Sequence, residues 1–224
     1  MLSGQEFVKK IKEENKSLFD SSRENVRNFF ASKPSDEYLV EHFTGRMVNE
    51  AQNMKAIAAE VASSTPATHS VQDLELLSKQ AQDEAKHFRM VKEVIEHITG
   101  SPVDVEAAFA AEAANPQAKG ASLLEKYSAS TDEAALAAYQ LVAEGRAEAV
   151  WQEMAECVED QYIAHRYATI GRDEGFHSAL GGRKLATLVE GASELQSRIL
   201  DMVAQMRIDL AEISAKNTAI AEVG

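Results

Sequence analysis

Apolar residues recur every three or four positions along most of the chain, a spacing typical of amphipathic helices and not of strands. The pattern predicts one helix from about Asp36 to Ser63, begun by Ser35 as N-cap, and a second from about Val71 to Thr99. A third helix is expected to begin at Thr131-Asp132-Glu133, and a fourth covers roughly Glu159 to Glu190. These elements predict an all-α fold built on a four-helix bundle.

Weaker patterns lie outside the four helices. Residues from Gln5 to about Ser32 are expected to form an outer helix, or a pair of helices, that covers the bundle or mediates oligomerisation. Residues 100–130, approximately, are rich in Ala and interrupted by Pro and Gly, which predicts a crossover from one end of the bundle to the other. A last amphipathic helix follows Gly191. The chain is therefore expected to be one domain, 1–224, with an outer segment 1–34, a core 35–190 and a C-terminal helix 191–224.

Composition narrows the class of protein. Hydrophobic residues make up 45% of the 224 positions, and only four Pro and eleven Gly interrupt the chain, which favours helix over sheet. The net charge of −13 opposes general binding to nucleic acid, since such binding needs clustered Lys and Arg. No apolar run approaches the roughly 18 residues of a membrane span, and no signal peptide is recognisable, so we expect a cytoplasmic protein that does not bind membranes. The lone Cys157 excludes an internal disulfide and a four-cysteine iron site within the chain.

Charged and polar residues interrupt the apolar stripes in the middle of the predicted helices. The fourth helix carries Glu174 and His177, and the second carries Glu84 and His87. Residues three positions apart lie on one helical face, so each Glu and its His are neighbours within a stripe that should be buried. Buried charges cost several kcal/mol unless they are paired or bind metal. Two such interruptions need one shared explanation.

The other two predicted helices each carry a glutamate in the apolar stripe, and the four glutamates lie at matching depths. If the first two helices form a hairpin, Glu50 and Glu84 lie at similar distances from the turn. If the other two turn near Val158-Glu159, Glu144 and Glu174 lie level as well. Four converging carboxylates and two imidazoles predict two divalent cations, which would neutralise the negative charges. Oxygen-rich ligation with one imidazole per ion favours iron or manganese and leaves coordination positions open.

One Glu from each of two helices, combined with a Glu-x-x-His from each of the other two, resembles the ferritin-like di-iron carboxylate superfamily. The resemblance covers about residues 36–190 and implies a ferritin-like four-helix bundle with extra N-terminal and C-terminal helices. It also implies two iron ions, with manganese as an alternative at one or both positions, and O2 as co-substrate. The implied ligands, of which Glu84 and either Glu144 or Glu174 would bridge the ions, are Glu50, Glu84, His87, Glu144, Glu174 and His177.

Several residues beside these positions are candidates for supporting roles. Glu148 lies one turn after Glu144 on the same face and is the alternative ligand of the third helix, or else a carboxylate beside the ligands or a solvated charge. Asp83 and Asp173 each directly precede a proposed ligand, which predicts hydrogen bonds to an imidazole of a neighbouring helix, with a plain surface charge as the alternative. Tyr167 is interpreted as a redox-active or supporting phenol, or as a core Tyr with a bonded hydroxyl.

Apolar side chains of the same helices are candidates for the wall of a substrate pocket, with simple core packing as the alternative. They are Phe43, Met47, Met54, Leu141, Trp151 and Phe176. Gly145 and Gly175 each directly follow a proposed ligand, and glycine in mid-helix indicates a close helix approach or a π-bulge.

The leading hypothesis is a di-iron oxygenase or oxidase that activates O2 and oxidises a small organic substrate. The segments that exceed a bare four-helix ferritin would shape its pocket. The resemblance further implies an external electron donor or reductase, and such an enzyme is expected to be a monomer or homodimer. The alternative is a ferritin-like or rubrerythrin-like protein that oxidises iron or reduces peroxide, for which storage would need a closed shell of many subunits. Polar core residues without any metal are the third interpretation.

Overall fold

The described part of the chain is helical and contains no strand. The computed structural model describes residues 2–65, 70–115, 123, 126–127 and 132–219, with side chains as far as 212 in the last range. Its helices are α1 (Gly4–Ala31), α2 (Asp36–Ser63), α3 (Val71–Thr99), α4 (Val105–Ala114), α5 (Glu133–Tyr139), α6 (Gly145–Cys157), α7 (Gln161–Leu188) and α8 (Ser193–Ala219), with a π-turn (Gln140–Glu144) between α5 and α6. The all-α class is confirmed, and the ferritin-like arrangement of the bundle stays a prediction.

Capping residues determine where the central helices begin and where α3 ends. The Ser35 hydroxyl accepts a hydrogen bond from the backbone N–H of Tyr38 at 3.3 Å and so starts α2 at the predicted residue. Ser70 and Asp160 cap α3 and α7 in the same way. Gly100 ends α3 in the left-handed conformation at φ 66°, which a residue without Cβ adopts at little cost.

One compact unit comprises residues 34–124. Within it, α2 packs along α3 as the predicted hairpin, and α4 packs against α2. The ammonium group of Lys55 lies 5.2 Å above the centre of the Phe109 ring, which ties α4 to α2. The connection between α2 and α3 includes residues 66–69, which lie outside the described residues, as do residues 116–122, 124–125 and 128–130 of the predicted crossover.

The other compact unit comprises residues 1–33 and 125–224. Its centre is the pair α6 and α7, and α1 packs against α6, α7 and α8. The predicted outer segment is thus a single helix, and it is fixed to α6 by Arg27, which donates two hydrogen bonds to the Glu153 carboxylate at 2.6 and 2.8 Å. Both units are compact by themselves, and the organisation as a single domain stays a prediction.

The third predicted helix is not a regular α-helix. Five residues, Gln140–Glu144, form a π-turn that ends at a proposed ligand, and Gly145 begins α6 directly afterwards. The π-bulge predicted beside Gly145 is therefore present. Because a π-turn accommodates one extra residue, it determines which side chains of α6 face the neighbouring helices.

Candidate metal centre

Helices α2 and α3 bring Glu50, Glu84 and His87 together, and we call these three residues the α2–α3 triad. One donor atom of each residue lies within 4.8 Å of the donor atoms of the others. The Nδ1 atom of His87 is 3.5 Å from Oε2 of Glu50 and 3.8 Å from Oε2 of Glu84. Glu84 and His87 are completely buried, and Glu50 is 5% exposed. Two carboxylates and one imidazole therefore meet away from water.

The α2–α3 triad offers the donor atoms that a metal site requires. The buried Oε2 atom of Glu50 accepts no hydrogen bond from any residue in the described part of the chain. A buried carboxylate oxygen without a donor is costly, and a bound cation would remove that cost. Carboxylate oxygens combined with one imidazole nitrogen are ligands that suit iron and manganese.

The second unit holds a group with the same donor atoms, Glu144, Glu174 and His177, which we call the π-turn triad. Their donor atoms also lie within 4.8 Å of one another. The Nδ1 atom of His177 lies 3.3 Å from Oε2 of Glu174, one turn earlier on α7. His177 is completely buried, and Glu174 and Glu144 are 2% and 8% exposed. Each unit thus contains a buried Glu2His group with its donor atoms at metal-binding distance.

Glu148 lies beside the π-turn triad and touches α7 at Gly175. A Cβ atom added at Gly175 would be only 2.6 Å from the Glu148 carboxylate, so the glycine makes room for this side chain. The half-buried Glu148 also accepts a hydrogen bond from the Gln152 amide at 3.1 Å. The close approach predicted at Gly175 is present, and it is made by a carboxylate. The assignment of Glu144 as the ligand of this helix stays a prediction, with Glu148 as its alternative.

The aspartates next to the proposed ligands differ in their surroundings. Asp83 is buried and pairs with two lysines of its own helix, Lys79 and Lys86, of which Lys86 donates at 2.9 Å. These cations neutralise Asp83 within α3. Asp173 is half-buried on α7. The predicted hydrogen bonds from Asp83 and Asp173 to an imidazole of a neighbouring helix stay predictions.

Four of the six candidate pocket residues lie in the core of one of the two units. Phe43 and Met47 of α2 are buried, as are Leu141 and Trp151 in the other unit, whereas Met54 and Phe176 are half-buried. Completely buried Tyr167 packs on Trp151 with 5.3 Å between ring centres. These positions agree with core packing, and their role in a substrate pocket stays a prediction.

Sequence reasoning missed Ser178, which follows His177 directly. It is buried, and its hydroxyl donates a hydrogen bond to the backbone carbonyl of Leu141 in the π-turn at 2.9 Å. The signal available in the sequence was a small polar residue next to a proposed ligand, within the run Ser-Ala-Leu-Gly-Gly at 178–182. Small residues on a buried helical face indicate that another element approaches closely.

Neither the protein-family models, nor the curated proteins, nor the solved structures give a match to this chain. Among the described helices, none combines the length and the apolar character that crossing a membrane requires. Buried Glu and His side chains lie at metal-binding distance in each unit.

Proposed function

We propose that the chain is a non-haem di-iron oxygenase or oxidase that activates O2 to oxidise a small organic substrate. The observation that carries the proposal is the repetition of one donor set, two Glu and one His, in buried triads of both units. Each triad would hold one ion, which gives the two ions per chain that the sequence pattern predicts. Iron is the proposed metal, and manganese has the same ligand preference.

The residues of the triads would perform distinct tasks. A pair of reduced iron ions, when bound, supplies the electrons that activate O2. The glutamates would hold the ions and balance their charge, whereas His87 and His177 would bind as neutral imidazoles. The 3.3 Å contact between His177 Nδ1 and Oε2 of Glu174 orients the imidazole ring.

Apolar neighbours of the triads support oxidation of an organic molecule. Met47 lies one turn before Glu50 and Trp151 two turns after Glu144, and both side chains are buried. Apolar surroundings exclude water. They favour binding of an apolar or amine-bearing substrate, and they favour oxidation of that substrate over loss of the oxidising equivalents to solvent. With the lone Cys157, the chain has no internal cysteine-based electron carrier, so a separate reductase is proposed as the electron donor.

Anaerobic loading with Fe(II), metal counting and exposure to O2 test this proposal. We expect two irons per chain and an optical change on exposure to O2, which decays faster with a substrate from a panel of aldehydes, amines and aromatic acids. Glu84→Ala and His177→Ala should each lose at least one iron and retain most of the helix content. Glu153→Gln, a change in a carboxylate that pairs with Arg27 instead, should retain both irons.

Three results would contradict the proposal in different ways. Retention of two irons by both Glu84→Ala and His177→Ala would refute the assignment of the ligands. A shell of many subunits that accumulates iron would favour the storage function, and rapid consumption of peroxide without substrate oxidation would favour the rubrerythrin-like function. Sedimentation velocity and a peroxide assay on the iron-loaded protein distinguish these outcomes from an oxygenase.

A further inference from the structure

The π-turn is attached to α7 by a buried hydrogen bond. Ser178 is 6% exposed, and its hydroxyl donates to the Leu141 carbonyl, in the middle of the π-turn, at 2.9 Å. A π-turn interrupts the regular hydrogen-bond pattern of an α-helix, so a donor from another helix stabilises its carbonyls. The Ser178 hydroxyl is such a donor.

Gly181, one turn later on α7, allows the two helices to touch through their backbones. A Cβ atom at position 181 would lie 2.7 Å from the carbonyl oxygen of Ala137 and 2.8 Å from the backbone nitrogen of Leu141. Unlike the end of a flexible side chain, these backbone atoms cannot move aside to make room for a Cβ atom at position 181. On the other side of Glu144, a Cβ atom at Gly145 would lie 3.1 Å from the Ser178 hydroxyl oxygen. Ser178 therefore contacts the chain both before and after Glu144.

The direction of the Glu144 side chain depends on the π-turn. Each residue of an α-helix advances the side-chain direction by about 100°. If the π-turn relaxed to regular α-helix, α6 would rotate by about 100° relative to α5. Glu144 would then leave the face on which it meets Glu174 and His177. The bond from Ser178 opposes this relaxation.

We infer that Ser178 is a positioning residue for Glu144. This role of Ser178 rests on the proposed function, because the direction of the Glu144 side chain matters only if Glu144 is a metal ligand. Ser178 directly follows His177, so one short segment of α7 supplies a ligand and also holds the turn that supplies another. The position of Glu144 relative to His177 is thereby fixed by the same segment.

Titration with Co2+, whose visible absorption reports the number and geometry of its ligands, tests the inference. The wild-type protein is expected to bind two Co2+ ions. Ser178→Ala should bind one of them with unchanged affinity and the other about tenfold more weakly, with an altered spectrum, as is typical when a group that orients a ligand is removed. Ser178→Thr keeps the hydroxyl and should restore the spectrum. Ser21→Ala removes a hydroxyl that donates to the Leu18 carbonyl of α1 at 3.0 Å, and should bind as the wild type does.

Each outcome decides the inference. Wild-type affinities and spectrum in Ser178→Ala would overturn it and leave the proposed function intact. Loss of both ions together with helix content in Ser178→Ala, measured by far-ultraviolet circular dichroism, would also overturn it, because the hydroxyl would then support the fold in general. A wild-type protein that binds no Co2+ would contradict the proposed function as well as the positioning role.

Discussion

Replacing Glu84 by Gln is expected to stabilise the metal-free protein and to remove the stabilisation that a metal gives. Glu84 is completely buried, and its carboxylate lies within 4.8 Å of donor atoms of Glu50 and His87. The substitution keeps the shape of the side chain and removes one negative charge from the α2–α3 triad. The order of stability of the two proteins should therefore reverse when metal is added.

The magnitude follows from the burial of Glu84. A buried carboxylate costs several kcal/mol even after relaxation, whereas an amide buried with incomplete hydrogen bonds costs about 1–3 kcal/mol. The difference favours the variant without metal by about 2 kcal/mol, which raises the Tm by roughly 4–8 °C for a chain of this size. Metal at a hundred times its Kd stabilises the wild type by about 2.7 kcal/mol and should leave the variant nearly unchanged.

Thermal unfolding followed by circular dichroism, with EDTA or with Co2+, measures both effects. The matched control is Glu153→Gln, because Glu153 is 7% exposed but pairs with Arg27 at 2.6 Å. Loss of that pair should lower the Tm of the control under both conditions. A Tm of Glu84→Gln below that of the wild type in EDTA, or an equal rise of both proteins with Co2+, would refute the reasoning.

Three further predictions concern other parts of the chain. Burial lowers the pKa of His42 from 6.5 to about 3, so the unfolded chain binds the proton first and the free energy of unfolding falls as the pH drops below 6.5, by about 2 kcal/mol near pH 5. Urea unfolding of His42→Gln should show a smaller loss of stability over the same pH range. Burial, and to a smaller extent the hydrogen bond to Asp209, raise the pKa of Tyr127 from 10 to about 12, so the free energy of unfolding should fall between pH 10 and 12. Tyr127→Phe should remove one ionisation near pH 12 from the absorbance titration. Gly175→Ala should displace the flexible Glu148 carboxylate and raise stability by about 0.5–1 kcal/mol, with both metal ions retained; loss of an ion would instead identify Glu148 as a ligand.

The helices of the chain follow closely from local sequence signals. The predicted bounds of α2 and α3 agree with the structure because Ser35, Ser70 and Gly100 are caps whose chemistry acts within a few residues. The π-turn was expected only as one interpretation of Gly145. Ser178 and Gly181, which contact the π-turn, are distant from it in sequence, and hydrophobic periodicity contains no information about such contacts.

The candidate site was predictable to the extent that it depends on helical spacing. The pairs Glu84 with His87 and Glu174 with His177 share a face in any α-helix, and the contact of Glu50 with His87 follows from the α2–α3 hairpin. Asp83 pairs with Lys79 and Lys86, which occupy positions four before and three after it on the same helix. That spacing was visible in the sequence.

The order of the two units along the chain has a consequence for synthesis on the ribosome. Helix α1 is translated before α2, α3 and α4, but its packing partners α6, α7 and α8 are made only after residues 34–124 are complete. The α2–α3 hairpin, in contrast, can form as soon as its second helix has been translated. We therefore expect the nascent chain to carry the apolar face of α1 unburied for most of its synthesis, kept in solution by the charged residues of the opposite face. The α2–α3 triad would then be assembled before the π-turn triad, whose unit includes α1 together with the later helices.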